Sequence, residues 1–158
     1  FHDIEQGRRE LALLTLPERP QGPVSTQVIW RELLRPCALK QHPLNQKNRC
    51  EPTELNPHRA VLLHSHTFTQ QRIQAVLAQH QVQLQTSTSS SYLEAIAMLV
   101  QAGQGWAFLP EVMIAGQLQA LPLQPELCLA RELGLAWHRD RTLSRAALAM
   151  RALLLELK

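Results

Sequence analysis

The chain reads as an α/β protein built in two lobes, and three observations predict this. Short aliphatic runs alternate with stripes at helical spacing. A Gly-Gln-Gly turn at 103–105 passes from a helix into a strand. A proline-rich polar stretch at 42–57 and a long alternating segment at 127–137 are two places where the chain can pass between lobes. Its 158 residues suit one average domain or two small lobes.

Taken in order, Phe1, Ile4 and Gly7 form the tail of a helix. Residues 10–17, ELALLTLP, form a short buried strand ended by proline. Residues 18–23 are turn chemistry. Residues 26–41 are extended and rich in branched residues, and Pro36 is expected to stop a paired strand from running straight through. Residues 42–57 carry three prolines and are the expected linker. Residues 60–64, AVLLH, form a buried strand. Ile73, Val76 and Leu77 then share one helical stripe, with Gln and Arg opposite. Residues 82–86 alternate at period two, with Val82 and Leu84 inward. Ser87 to Ser91 open a helix as capping residues. Leu93, Ile96, Leu99 and Val100 carry that helix, which is apolar nearly all round and so expected to be buried. Residues 111–123 are a short helix or turn leading to an edge segment. Leu127, Leu129, Leu133, Leu135 and Trp137 mark the long strand. Thr142 is the expected cap of a last helix, with Leu143, Ala147, Met150, Leu154 and Leu157 at helical spacing.

The glycine turn could be mistaken for a phosphate cradle. A dinucleotide fingerprint runs from strand through glycines to a helix N-terminus. Here the polarity is opposite. Gly103 closes a helix in the left-handed position that glycine favours, and Gly105 turns the chain into the strand Trp106–Leu109. The groups presented are carbonyls, which repel phosphate.

Composition excludes several functions. Apolar residues make up 45% and aromatics 4%, so an aliphatic core is expected. The net charge of +3 is too mild and scattered to be a nucleic-acid footprint. Cys37, Cys50 and Cys128 form no CxxC pair, which leaves them as idle thiols in a reducing compartment. No apolar run approaches the ~18 residues of a membrane span, and no signal peptide opens the chain, so a cytoplasmic protein is expected. Asp3 and Asp140 are the only aspartates, and no acidic cluster offers a cation site. His64-Ser65-His66 has the spacing of a metal pair but no third ligand near it. No G-x-S-x-G elbow is present. No metal, cofactor or catalytic set is therefore expected.

Two polar loops stand out, each following a short strand and preceding a helix. One is Ser65, His66, Thr67, Phe68 and Thr69; the other is Thr86 to Ser89. Ligands of open α/β sheets collect at the carboxyl ends of strands, where hydroxyls and free N–H groups suit a carboxylate. Two ordinary capped helices would read the same way.

The segment 91–111, SYLEAIAMLVQAGQGWAFLPE, resembles the most recurrent stretch of the effector-binding domain of LysR-type transcriptional regulators. Three further stretches resemble that family in the right order: IEQGRRELALLTLP, LLRPCALKQHPLNQ with His42-Pro43-Leu44 intact, and LGLAWHRDRTLSRAALAMRALL. Glu10 or a neighbour stands where the family has Asp, and Met150 where it has Phe.

The resemblance implies a fold similar to a type 2 periplasmic binding protein, with an inter-lobe cleft and crossovers near 52–57 and 131–137. The lobes would be 1–56 with 133–158, and 57–132. A strand, a helix and a second strand are expected ahead of Phe1, which makes the first lobe incomplete and removes half of the usual dimer interface. The resemblance also implies effector contacts from Ser65, His66, Thr67, Phe68, Thr69, Thr88 and Ser89, with Thr15 facing them across the cleft. A small effector, for which an organic acid is suited, would bind there. It would modulate a winged helix-turn-helix domain that lies elsewhere in a homo-oligomeric protein and alone touches DNA. The alternatives are a solute-binding protein of a transport system, with the same fold, and an enzyme using His64, His66 or His138 as acid or base.

Overall fold

The computed structural model describes residues 1–17, 19 and 22–156, and within the strand 85–90 the side chains of Thr86 and Ser87 are not described. The chain forms two compact units, residues 1–32 with 131–158 and residues 33–130. The sequence-based boundaries lie at 56/57 and 132/133; the compact units change over at 32/33 and 130/131.

The first unit opens with a helical turn, α1 (His2–Glu5), whose Ile4 is buried. Strand β1 (Leu11–Thr15) pairs antiparallel with the long strand β7 (Leu129–His138), Leu13 opposite Leu135. The next strand in the sheet is β2 (Val24–Leu39), so β1 lies at the end of the order. The expected buried strand at 10–17 is corrected here. As the last strand in the sheet it is only half covered, and Leu13 is 49% exposed. Ile4, Val24 and Ala136 form a small core, with Ala12 and Leu14 packed on it. Of the expected turn at 18–23, Glu18, Pro20 and Gln21 lie outside the described residues.

The last helix, α4 (Arg145–Glu156), buries only Ala147 of its apolar stripe, and Leu157 lies outside the described residues. Its cap is Ser144 and not Thr142. The helix starts three residues after Thr142, so only Ser144 is placed for its Oγ to accept from the Ala147 N–H (3.2 Å). The same hydroxyl donates to the Glu10 carboxylate at 2.6 Å. Between β2 and β7, Arg31 binds Glu132 at 2.8 Å, and Arg131 binds Glu32 in a less exposed pair.

In the second unit, Leu33–Leu39 of β2 pairs antiparallel with β5 (Ala107–Pro110) and with β6 (Leu118–Ala120). Pro36 does not interrupt β2, contrary to expectation. It sits opposite Phe108, and its carbonyl accepts from the Leu121 N–H at 2.9 Å. The N and O of one strand residue point to the same side, so the missing N–H faces the β6 side, just beyond the last β2–β6 pair at Cys37 and Ala120.

The expected linker is likewise folded. Two 3₁₀ turns, Pro43–Gln46 and Pro52–Leu55, each start with proline at a position where no N–H is needed. They bury Leu44, Cys50 and Leu55 in the largest core cluster, beside Leu34, Ile73 and Trp106. His42 caps the first turn, its Nδ1 accepting from the Leu44 N–H at 3.3 Å.

Strand β3 (Arg59–Leu63) runs parallel to β4 (Gln85–Ser90), with helix α2 (Phe68–Gln79) between them in sequence and α3 (Leu93–Gln101) after them. The strand expected at 82–86 begins later. Val82 is buried and Leu84 packs on the core as expected, but the ladder starts at Gln85, after Gln81 adopts φ 57°. The serines expected to cap α3 lie in β4 instead. Hydroxyl-rich residues can enter a strand when a neighbour offers a ladder, and β3 pairs with β4 from Gln85 to Ser90. Helix α3 has no side-chain cap at Tyr92 and buries one face only, Ile96, Ala97 and Val100, while Met98 is 64% exposed.

The glycine turn closes α3 as read from sequence. The Gln104 N–H reaches the Leu99 carbonyl (3.1 Å) and the Gly103 N–H the Val100 carbonyl (3.0 Å), with Gly103 at φ 78°. Gly105, at φ 144°, lies where an added Cβ would stand 2.1 Å from the Arg59 carbonyl oxygen. Around Gly103 such an atom would meet only Leu39, at 3.8 Å.

Two outcomes follow from these geometries. Gly103→Ala pays only for backbone strain and is expected to cost about 1 kcal/mol in chemical denaturation. Gly105→Ala adds a clash with backbone and is expected to cost about 3 kcal/mol or more; equal losses at both sites would show that the close approach is absent. His42 supplies the second. Burial, and then the neighbouring His58 ring at 4.7 Å, hold its pKa below the ordinary value. The unfolded chain therefore binds the proton more tightly. Stability is full above the ordinary histidine value of about 6.5 and is lost as pH falls through it toward the lower folded value. Urea midpoints across that range should fall toward acid in the wild type and fall less in His42→Asn.

Candidate functional site

Because β3 and β4 are parallel, their carboxyl ends emerge side by side, and the two expected polar segments meet there. The backbone continues the pairing one step past Leu63, the His64 N–H donating to the Ser90 carbonyl at 3.2 Å. The His64 Nδ1 and Ser89 Oγ lie 3.0 Å apart and hydrogen-bonded. The His64 and His66 rings stack at 5.6 Å, 17° from parallel, across a turn closed by the Thr67 N–H donating to the His64 carbonyl at 2.9 Å.

Thr67 ends the loop and caps α2. Its Oγ1 accepts from the Gln70 N–H at 3.2 Å and donates to the His64 carbonyl at 2.8 Å. The first bond inside the helix runs from the Gln71 N–H to the Thr67 carbonyl. The N–H groups of Phe68 and Thr69 therefore have no acceptor within the helix. Ser65 and His66 are exposed and Thr69 is buried. Phe68 is exposed on one side and carries the Arg72 guanidinium 5.9 Å from its ring centroid.

The structure thus brings Ser65, His66, Thr67, Phe68, Thr69 and Ser89 to one end of the β3–β4 pair. Thr88 is in β4 opposite Val61, two positions before the strand end and not in a loop. Thr15 is in the first unit, the last residue of β1, opposite Leu133.

Two residues at this end were not among the expected contacts. His64 was legible as half of a possible metal pair and as an acid or base of the enzyme alternative. Gln70 was read onto the polar side of α2, yet it is 1% exposed and lies on the buried face with Ile73 and Leu77. The signal was its spacing of three and seven from those residues, masked by the polarity of glutamine.

Charge at this end is mixed: Arg72 lies one turn into α2, and Glu94 lies in the first turn of α3, which follows the end of β4. Between Glu54 and Glu94 the sequence holds no Asp or Glu, while Arg59, Arg72, His58, His64, His66 and His80 fall in that interval. Among the described residues no group of three or more His, Cys, Asp or Glu side chains could hold a metal ion. Cys37 and Cys50 are buried, with burial pushing the Cys37 thiol up to about 12, and Cys128 is exposed.

The family model of the LysR substrate binding domain matches residues 1–158. The chain belongs to that family. Among solved structures it is similar to the CcmR regulatory domain of Synechocystis PCC6803 in complex with 2-PG, at 19% identity and TM-score 0.81, over 99% of this chain and 76% of that one. The apo regulatory domain of HypT from Salmonella typhimurium is similar at 18% identity and TM-score 0.81, over 99% and 76%. The effector-binding domain of QuiR in complex with shikimate is similar at 15% identity and TM-score 0.78, over 98% and 74%. Among curated protein sequences none matches. The fold is that of the LysR-type regulatory domain, similar to periplasmic binding proteins, and the match is to a regulator's sensing domain and not to a transport receptor. Among the described residues no helix is long and apolar enough to cross a membrane.

Thr67 joins strand end to helix start, and this gives an expected outcome. Thr67→Ala should lower α2 and whole-chain stability by about 1 kcal/mol, while Thr67→Ser, which keeps the acceptor, should change it by much less. Thermal denaturation followed by circular dichroism distinguishes them; equal melting of all three would remove the cap from the argument.

Proposed function

We propose that this chain is the sensing domain of a LysR-type transcription regulator and that its effector is a small organic anion. The observation that carries the anion is the shared end of β3 and β4, where two stacked histidines and several hydroxyls stand beside the first N–H groups of α2, which have no acceptor within that helix. The dipole of a helix N-terminus favours negative charge, and the N–H groups there can donate to it. Ser65, His66, Thr67, Phe68 and Thr69 would hold the anion from the α2 side, and Thr88 and Ser89 from β4. His64, by its bond to Ser89, orients that hydroxyl.

The domain does no chemistry in this reading. Effector occupancy biases a conformational equilibrium, and a coupling of about 1–3 kcal/mol is enough for regulation. DNA is contacted by a winged helix-turn-helix domain elsewhere in a cytoplasmic homo-oligomer.

The test is thermal stabilisation by a series of small mono- and dicarboxylates, with amines of similar size as the opposite-charge control. A ligand at 100 times its dissociation constant stabilises by about 2.7 kcal/mol. At least one carboxylate should raise the melting midpoint, and His66→Ala or Ser89→Ala should reduce that rise while leaving the unliganded midpoint nearly unchanged. A rise with amines and none with carboxylates would end the anion reading.

A further inference from the structure

Among the described residues Gln70 is the one large polar residue with a fully buried side chain, and neither its Oε1 nor its Nε2 has a hydrogen-bond partner. Buried amides in folded proteins are almost always paired, because an unpaired one forfeits its hydration for nothing. The place of this exception is informative. Gln70 is the third residue of α2, one turn inside the cap, and its own N–H is already used by Thr67. Helical side chains lean toward the N-terminus of their helix. Those of Gln70, Ile73 and Leu77 lie on the face turned to the core. By that lean the Gln70 amide would point back along that face, toward the turn where β3 ends and the loop of His64 and His66 begins.

A primary amide offers a donor and an acceptor side by side. A carboxylate can use only the donor. A hydroxyl uses both, accepting from Nε2 and donating to Oε1. Resting on the anion reading above, we infer that Gln70 is a specificity-determining residue that recognises a hydroxyl next to the effector's anionic group, so that the ligand class is a hydroxy acid. The helix N-terminus and the histidines would take the carboxylate, and Gln70 would separate hydroxylated from plain acids.

The experiment titrates the full 158-residue chain with two matched pairs, lactate against propionate and malate against succinate, following backbone amide shifts of residues 64–70 and 88–90. The expected result is binding of a hydroxy acid about five- to tenfold tighter than its plain partner, the worth of one hydrogen bond. In Gln70→Met, which keeps the volume of the side chain, that ratio should fall to about one while the plain acid binds as before. Gln70→Leu serves as the second variant should Met pack poorly. Removing an unpaired buried amide should also leave the unliganded melting point level or higher. Loss of the preference with retained binding of the plain acid supports the inference. A preference that survives in both variants overturns it, because the amide is then served by something other than the ligand. A lower melting point in both variants overturns it too, by showing a structural partner. Equal binding of both members of each pair to the wild type refutes hydroxyl recognition but leaves the anion site standing. Absence of shifts with all four acids removes the anion site itself.

Discussion

The backbone of Gly105 passes the Arg59 carbonyl so closely that no Cβ fits between them. That approach lets Trp106 join β3 to the strand after it. The Trp106 N–H donates to the Arg59 carbonyl at 3.0 Å, the Val61 N–H donates to the Trp106 carbonyl at 2.8 Å, and the indole N–H donates to the His58 carbonyl at 3.2 Å. Trp106 is fully buried, so its large side chain anchors the core on the same residue that stitches the backbone. The position of β3 follows, then the pairing of β4, and with them the shared end at which the polar loop and the α2 N-terminus stand. The putting together of a site at 64–70 thus depends on a contact made more than thirty residues later.

This dependence separates what was legible in the sequence from what was not. The glycine turn was readable because its chemistry is local: a helix that ends in Gly103 and restarts as an apolar strand has few other conformations. The apolar strand β3 and the stripe of α2 were readable for the same reason. Strand β4 was not. QTSTSS has neither the alternation nor the bulk of a strand, and its conformation is set by β3 lying beside it. Pro36 misled in the opposite direction. A proline is excluded from a ladder only where its N–H is needed, and sequence cannot say on which side of a strand the next neighbour ends. The segment 42–57 looked like a linker because its apolar residues are few and irregularly spaced, yet Leu44, Cys50 and Leu55 each find the core through a 3₁₀ turn.

The candidate site was legible in part. The hydroxyls and histidine at 65–69 announce themselves by composition, and the structure adds the bond between His64 and Ser89, twenty-five residues apart. What composition could not show is that a glutamine among six others in the region is the buried one. Polarity and burial are independent facts, and the second requires the fold.

The two ion pairs between β2 and β7 carry a consequence of another kind. Arg31 pairs with Glu132 and Glu32 with Arg131, so each strand carries one charge of each sign at adjacent positions. Sliding one strand along the other would break both pairs. A one-residue slip also turns every side chain to the other face. The four charges therefore act as a key for alignment. Both strands leave the first unit within one residue of them, at 32/33 and 130/131. A correct match at this point keeps the two strands in step within the first unit.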